Sequence, residues 1–163
     1  MIIGFSGHQK IDHPERWDWV RLQLADILRE HAAGGTCVLV ALAEGGDQAF
    51  TDAALALGIP VDVVLPCTLY EDTFEGAEAK AKYHSLLAQS NNVVTLDYVE
   101  PSEDAFLAAG KYVVDHCDLL VTLWNGKQAA GKGGTGDVVE YARSLGRPLI
   151  HVHPGLLEVT GPG

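Results

Sequence analysis

Six short apolar runs, each separated from the next by a stretch of helical periodicity, constrain this chain more than any other feature. The runs are 2–6, 36–43, 60–65, 92–96, 119–124 and 148–152. A strand that is apolar at successive positions has to be covered on both faces, unlike the alternating strand of a half-exposed sheet. The stretches between the runs supply that cover. In the first of them, reaching from Asp12-His13-Pro14 to about His31, Trp17, Val20, Leu24, Ile27 and Leu28 recur at spacings of three and four and form one apolar face. Further helices are expected over 49–57, 78–89, 102–116 and 137–145. The alternation predicts an α/β chain in three layers with a mostly parallel central sheet. Right-handed crossovers then carry every strand-exit loop to the carboxyl edge of that sheet. Residues 7–10, 44–48, 66–73 and 125–136 are therefore expected on one rim.

At 163 residues, 47% of them apolar, the chain can bury one proper core. One domain is expected over 1–155, and the tail 156–163, ending in Gly-Pro-Gly, is expected to fray. Against 11 Lys and Arg stand 22 Asp and Glu, a formal net charge of -11, which repels a phosphodiester backbone and argues against duplex nucleic acid as a partner. A single phosphate remains accessible to backbone N–H groups. Cys37, Cys67 and Cys117 are few and widely spaced, so no disulfide framework is expected. No apolar run has membrane-spanning length, and the first residues lack the pattern of a signal peptide, so no membrane association and a cytoplasmic location are expected.

The chemistry concentrates at three of the rim turns. Gly133-Gly134-Thr135-Gly136 lies directly before an amphipathic run, an arrangement that brings backbone N–H groups and a helix N-terminus up to a phosphate. It has neither the spacing of a P-loop nor the dinucleotide fingerprint of a first strand-helix turn. Asp137 and Glu140 follow at a separation that puts two carboxylates on one side of a helix, suited to stabilising or attacking an anomeric carbon; capping by Asp137 and a solvated Glu140 are the plain alternative. Gly45-Gly46-Asp47 repeats the glycine-then-carboxylate pattern at the second strand exit, where Asp47 can cap a helix or orient a ribose. Ser6, Gly7, His8 and Gln9 bring polar groups to the first exit, and Trp124, at the end of the fifth run, can stack on a base or close the core. Tyr70, Phe74, Tyr83 and His84 are candidates for a lid or a subunit contact. The seven His residues are dispersed, so neither a metal nor a resident cofactor is called for.

With these turns assembled, the sequence resembles the SMF/DprA-LOG (SLOG) nucleotide-binding superfamily over about residues 2–154. Gly133-Gly134-Thr135-Gly136-Asp137-Val138-Val139-Glu140 is similar to the Pro-Gly-Gly-x-Gly-Thr-x-x-Glu motif of its phosphoribohydrolases, with Lys132 in place of the Pro and Asp137 in place of the Thr. Gly7-His8-Gln9 and Glu44-Gly45-Gly46-Asp47-Gln48 are similar to cleft-lining turns of the DprA and YpsA-like branch. Residues 118–148 also resemble the nucleoside deoxyribosyltransferases. The resemblance implies a Rossmann-like fold, a homodimer, and a small-molecule nucleotide or nucleoside as ligand. It puts Glu140 at the family's catalytic glutamate, with Asp137 beside it. The binding residues it implies are Ser6, Gly7, His8, Gln9, Gly45, Gly46, Asp47, Trp124, Gly133, Gly134, Thr135 and Gly136. The family's catalytic arginine has no counterpart, since Arg143 and Arg147 follow the glycine motif. Several readings stay open: an N-glycosidase acting on a nucleoside 5′-monophosphate, a nucleoside deoxyribosyltransferase-like enzyme, a non-catalytic sensor of a nucleotide signal, and a partner-binding protein with a degenerate pocket.

Overall fold

The structure, a computed structural model, describes residues 1–129 and 131–162. Strands β1 (Ile2–Gly7), β2 (Cys37–Val40), β3 (Val61–Leu65), β4 (Asn92–Thr95), β5 (Leu119–Leu123), β6 (Leu149–His153) and β7 (Glu158–Thr160) form one sheet. Helices α1 (Trp17–His31), α2 (Gly46–Ala56), α3 (Gly76–Ala88), α4 (Glu103–His116) and α5 (Thr135–Ser144) alternate with the first six strands. The strand order is β4-β3-β2-β1-β5-β6-β7. The chain builds outward from β1 to β4, and α4 then carries it back to β5 on the other side of β1. Strand order therefore reverses between β1 and β5, and a crevice is expected there at the carboxyl edge.

The expected three-layer α/β fold with a mostly parallel sheet is what forms: every pairing among β1–β6 is parallel. On one face Ile3, Phe5, Val38, Val63 and Val121 meet Val20, Leu24, Ile27 and Leu28, the α1 stripe read from the sequence. Tyr83 and Leu86 of α3 join the same cluster. On the other face Leu39, Leu120 and Leu149 meet Val113 and Val114 of α4 and Val138, Val139 and Ala142 of α5. Phe5 and Phe50 stack with ring centroids 4.7 Å apart and are almost wholly buried. Truncating either ring costs about 3–5 kcal/mol, and their packing fixes the start of α2 against the end of β1.

Several boundaries differ from the sequence-based expectation. Helix α2 begins at Gly46 and α5 at Thr135, earlier than expected, so Asp47 and Asp137 lie inside first turns. The tail does not fray: 158–160 pairs antiparallel with β6, with Val159 opposite Val152. The backbone donors and acceptors at the edge of β6 give an extended tail a ladder to join, although its Leu156, Leu157 and Val159 stay exposed. Both faces of the apolar run were expected to be covered at β4 as elsewhere, yet Val93 and Val94 are 46% and 41% exposed at the sheet edge.

Candidate functional site

A cavity of about 820 Å³ opens at the carboxyl edge of the sheet, where the strand order reverses. The four rim segments meet in it. Ser6, Gly7, His8 and Gln9 come from the end of β1, Ala43, Glu44 and Asp47 from the β2–α2 turn, Pro66, Tyr70 and Phe74 from the segment after β3, and Gly131, Gly133, Gly134 and Thr135 from the turn before α5.

His8 ties three strand exits together. Its N–H donates to the Leu123 carbonyl at 3.0 Å, its carbonyl accepts from Gly46 N at 2.9 Å, and its Nε2 accepts from Asn125 N at 3.1 Å. The last bond requires Nε2 to be unprotonated, which puts the ring proton on Nδ1. Burial holds the imidazole below its usual pKa, which favours this neutral form. His8 is thus a structural node that also faces the cavity.

Gly45 and Gly46 serve the same junction. Gly45 has φ +83°, and a Cβ there would fall on the Gln9 carbonyl, so only glycine allows the β1 and β2 loops to meet backbone to backbone. The Gly46 N–H is spent on His8. Neither glycine lines the cavity, and their close approach is to protein.

That junction positions Asp47. It is 6% exposed and lines the cavity, and its Oδ2 accepts from Ala43 N at 3.1 Å. Burial, opposed only by that backbone hydrogen bond, pushes its carboxyl up to about 7. A buried acid at the floor of a cleft that changes charge near neutrality is a functional-site signature.

The turn before α5 is built differently. Gly133, at φ +87°, packs on the backbone of Glu103 and Leu107 of α4, and its N–H donates to Asp137 Oδ2 at 2.9 Å. Asp137 closes the turn and does not line the cavity. The Gly134 carbonyl accepts from Asp137 N and Val138 N, whereas the N–H groups of Gly134, Thr135 and Gly136 have no acceptor among the described residues. They lie at the positive end of α5, where Gly134 and Thr135 line the cavity, and Gly136 itself does not line it. Lys127 also lines the cavity, while Lys132 is ion-paired with Asp104. Ala130, within the same turn, lies outside the described residues.

Besides Gly45, Gly46, Gly136 and Asp137, two more expected site residues are not brought to the cavity. Trp124 is 8% exposed, packs with Leu39, Leu120 and Val139, and donates its indole N–H to the Lys127 carbonyl at 2.8 Å. Glu140 is exposed on α5 and does not line the cavity. Tyr70, Phe74 and Tyr83, expected to form a lid or a subunit contact, are instead buried in the core, where Tyr70 and Phe74 form a cavity wall. The sequence reading missed the contribution of α4, whose Glu103, Phe106 and Gly110 complete the lining. The available signal was Gly110 itself, a helix-interior glycine where α5 approaches closely through Val138. Among the described residues no group of three or more His, Cys, Asp or Glu is arranged to hold a metal, and no helix is long and apolar enough to cross a membrane.

No family model matches the chain, and no curated protein matches it. Solved structures do. DNA processing protein A (DprA) from Streptococcus pneumoniae superposes with a TM-score of 0.65 at 18% identity over 91% of this chain. The chain spans about half of that protein, 49% of its length. The protein designated TM1055 gives 0.58 at 17% identity, covering 91% of this chain and 71% of its own. The Chlamydomonas rheinhardtii Moco carrier protein gives 0.54 at 16%, covering 92% and 74%. The chain therefore has the three-layer fold of these proteins, and its likeness to DprA is one of fold.

Proposed function

We propose that this chain is a nucleotide-binding domain whose cleft takes a nucleoside 5′-monophosphate or a related small nucleotide. One observation carries the reading: the N–H groups of Gly134 and Thr135 at the positive end of α5, without acceptors among the described residues, stand where four strand exits enclose a cavity of about 820 Å³. Free N–H groups at a helix N-terminus complement a phosphate, and Lys127 adds positive charge without making the surface basic. The volume lies within the range of small-molecule and cofactor sites. The Moco carrier protein, which shares this fold, is named as a carrier of Moco, and open parallel sheets take ligands at this edge.

Within this reading, binding without cleavage has better support than N-glycosidic hydrolysis. A nucleophile or electrostatic partner for an anomeric carbon has to reach the ligand, whereas Glu140 is exposed outside the cavity lining and one oxygen of Asp137 is committed to Gly133. The deciding experiment incubates the protein with nucleoside monophosphates, deoxynucleosides and NAD, and follows retained ligand and released base by mass spectrometry. Intact ligand retained in stoichiometric amount is the expected result. Base release abolished by Glu140→Gln would establish the hydrolase, and retention of no ligand would refute the nucleotide reading.

A further inference from the structure

The cavity has two chemically distinct ends. Tyr70, Phe74 and Phe106 wall the one near Asp47, with the Tyr70 ring centroid 5.4 Å from Phe74 and 6.5 Å from Phe106. The Asp47 charge reaches this wall: after burial, it is the next cause that pushes the Tyr70 hydroxyl well above its usual range. Asp47 has one oxygen to spare. Oδ2 is taken by Ala43 N, whereas Oδ1 has no protein donor among the described residues and is not among the fully buried unpaired atoms, so it opens on the cavity the residue lines. Among the described residues no Lys or Arg forms an ion pair with it.

We propose, resting on the nucleotide reading above, that Asp47 selects the base by accepting a hydrogen bond from the exocyclic amino group of a ring held at the aromatic end. A flat ring matches that end, because aromatic side chains gain from stacking or edge contact with another π-system and offer nothing to sugar hydroxyls stripped of water. The buried acceptor then discriminates by what it would lose. Once ionised, as it is above about pH 7, Asp47 accepts an amino N–H at Oδ1, while a base presenting only a carbonyl there leaves the carboxylate unpaired and faces it with a second acceptor. Adenine, guanine and cytosine carry such an amino group; hypoxanthine and uracil do not. The phosphate at the α5 end, some distance along the same cleft, anchors all five alike.

The test is calorimetric titration at about pH 8.5, where Asp47 is ionised, with AMP, GMP, CMP, IMP, UMP and base-free ribose 5-phosphate. At least one amino-bearing nucleotide should bind about tenfold or more tightly than its counterpart without the amino group, AMP or GMP against IMP and CMP against UMP. In Asp47→Leu that nucleotide should fall to the affinity of its counterpart. Equal affinities within both pairs in the unaltered protein, or a preference that persists in Asp47→Leu, would overturn the assignment. The unaltered panel decides by itself if Asp47→Leu fails to fold. Measurable binding of ribose 5-phosphate without any base preference would leave the nucleotide reading standing and remove Asp47 from recognition, whereas no binding of any of the six would remove both.

Discussion

Replacing Asp47 by Asn should stabilise the unliganded protein at alkaline pH, because an ionised carboxyl is costly where it sits. Burial raises its pKa from 3.8 to about 7. The native state therefore holds the proton across a range in which the unfolded chain has released it, and stability falls as pH rises through that window. Below about pH 4 the group is protonated in both states and contributes nothing. Above about pH 7 the full cost is present, and at about 1.4 kcal/mol for each pH unit between the two values it comes to ~4 kcal/mol. Asp47 lies in the first turn of α2, whose positive end favours the charge by up to ~1 kcal/mol, which leaves ~3 kcal/mol. Asn keeps an oxygen for Ala43 N and nearly the same shape, so the substitution removes the charge and little else. The assay is urea denaturation of both proteins at several pH values from 4.5 to 8.5, read as the difference between them. His8 and His151 titrate in both and cancel in that difference. The variant should exceed the parent by only about 1 kcal/mol near pH 4.5 and by ~3 kcal/mol at the alkaline end. A variant less stable at pH 8, or a difference independent of pH, would refute the reasoning.

The remaining predictions concern the rim and the helix ends. Gly45→Ala should destabilise by about 2–4 kcal/mol in the same denaturation assay, since it forces an L-residue to positive φ and drives a methyl group into the Gln9 carbonyl. Gly134→Asp should weaken nucleotide binding at least about tenfold by calorimetry, because it sets a carboxylate beside the N–H groups assigned to the phosphate. Glu140→Gln should change that affinity by less than about twofold, its side chain being exposed and outside the cavity lining. In the Asp47→Asn background, stability should decline as pH falls below about 6.5. Burial lowers the pKa of both His8 and His151, so between the folded and unfolded values the unfolded chain binds more protons, and acid favours unfolding. Replacing His8 by Gln should flatten that decline.

Periodicity alone carried much of this architecture. The stripe Val20, Leu24, Ile27, Leu28 turned inward as read, because a spacing of three and four defines a helix face before any partner is known. The rim was legible for a similar reason: connection handedness is a general property of βαβ units, so loops at 7–10, 44–48, 66–73 and 125–136 could be gathered on one edge without knowing their shapes. The glycine turns at 45–46 and 133–136 were read as places of close approach, through Gly46 in the first, and Gly133 in the second takes φ +87°. What they approach was not legible. Gly45 meets Gln9, and Gly133 meets α4, in pairings separated by tens of residues.

What the sequence by itself determined is therefore local or statistical: where strands and helices alternate, which helix stripe is apolar, and that carboxylates and glycines recur at strand exits. Tertiary structure alone decided which of those carboxylates matters. Asp47 and Glu140 each lie within the first two turns of a helix that follows a glycine turn, yet one is sealed at the floor of the cavity and the other stands in water. The difference comes from Phe5, Phe50, Tyr70 and the Gly45–Gln9 contact closing over α2, while among the described residues nothing covers Glu140 on α5. The tail was decided in the same way, since β7 exists only because β6 presents an edge for it to join. Burial and edge pairing depend on what distant segments bring to a point in space, and residue type and spacing along the chain do not encode that directly.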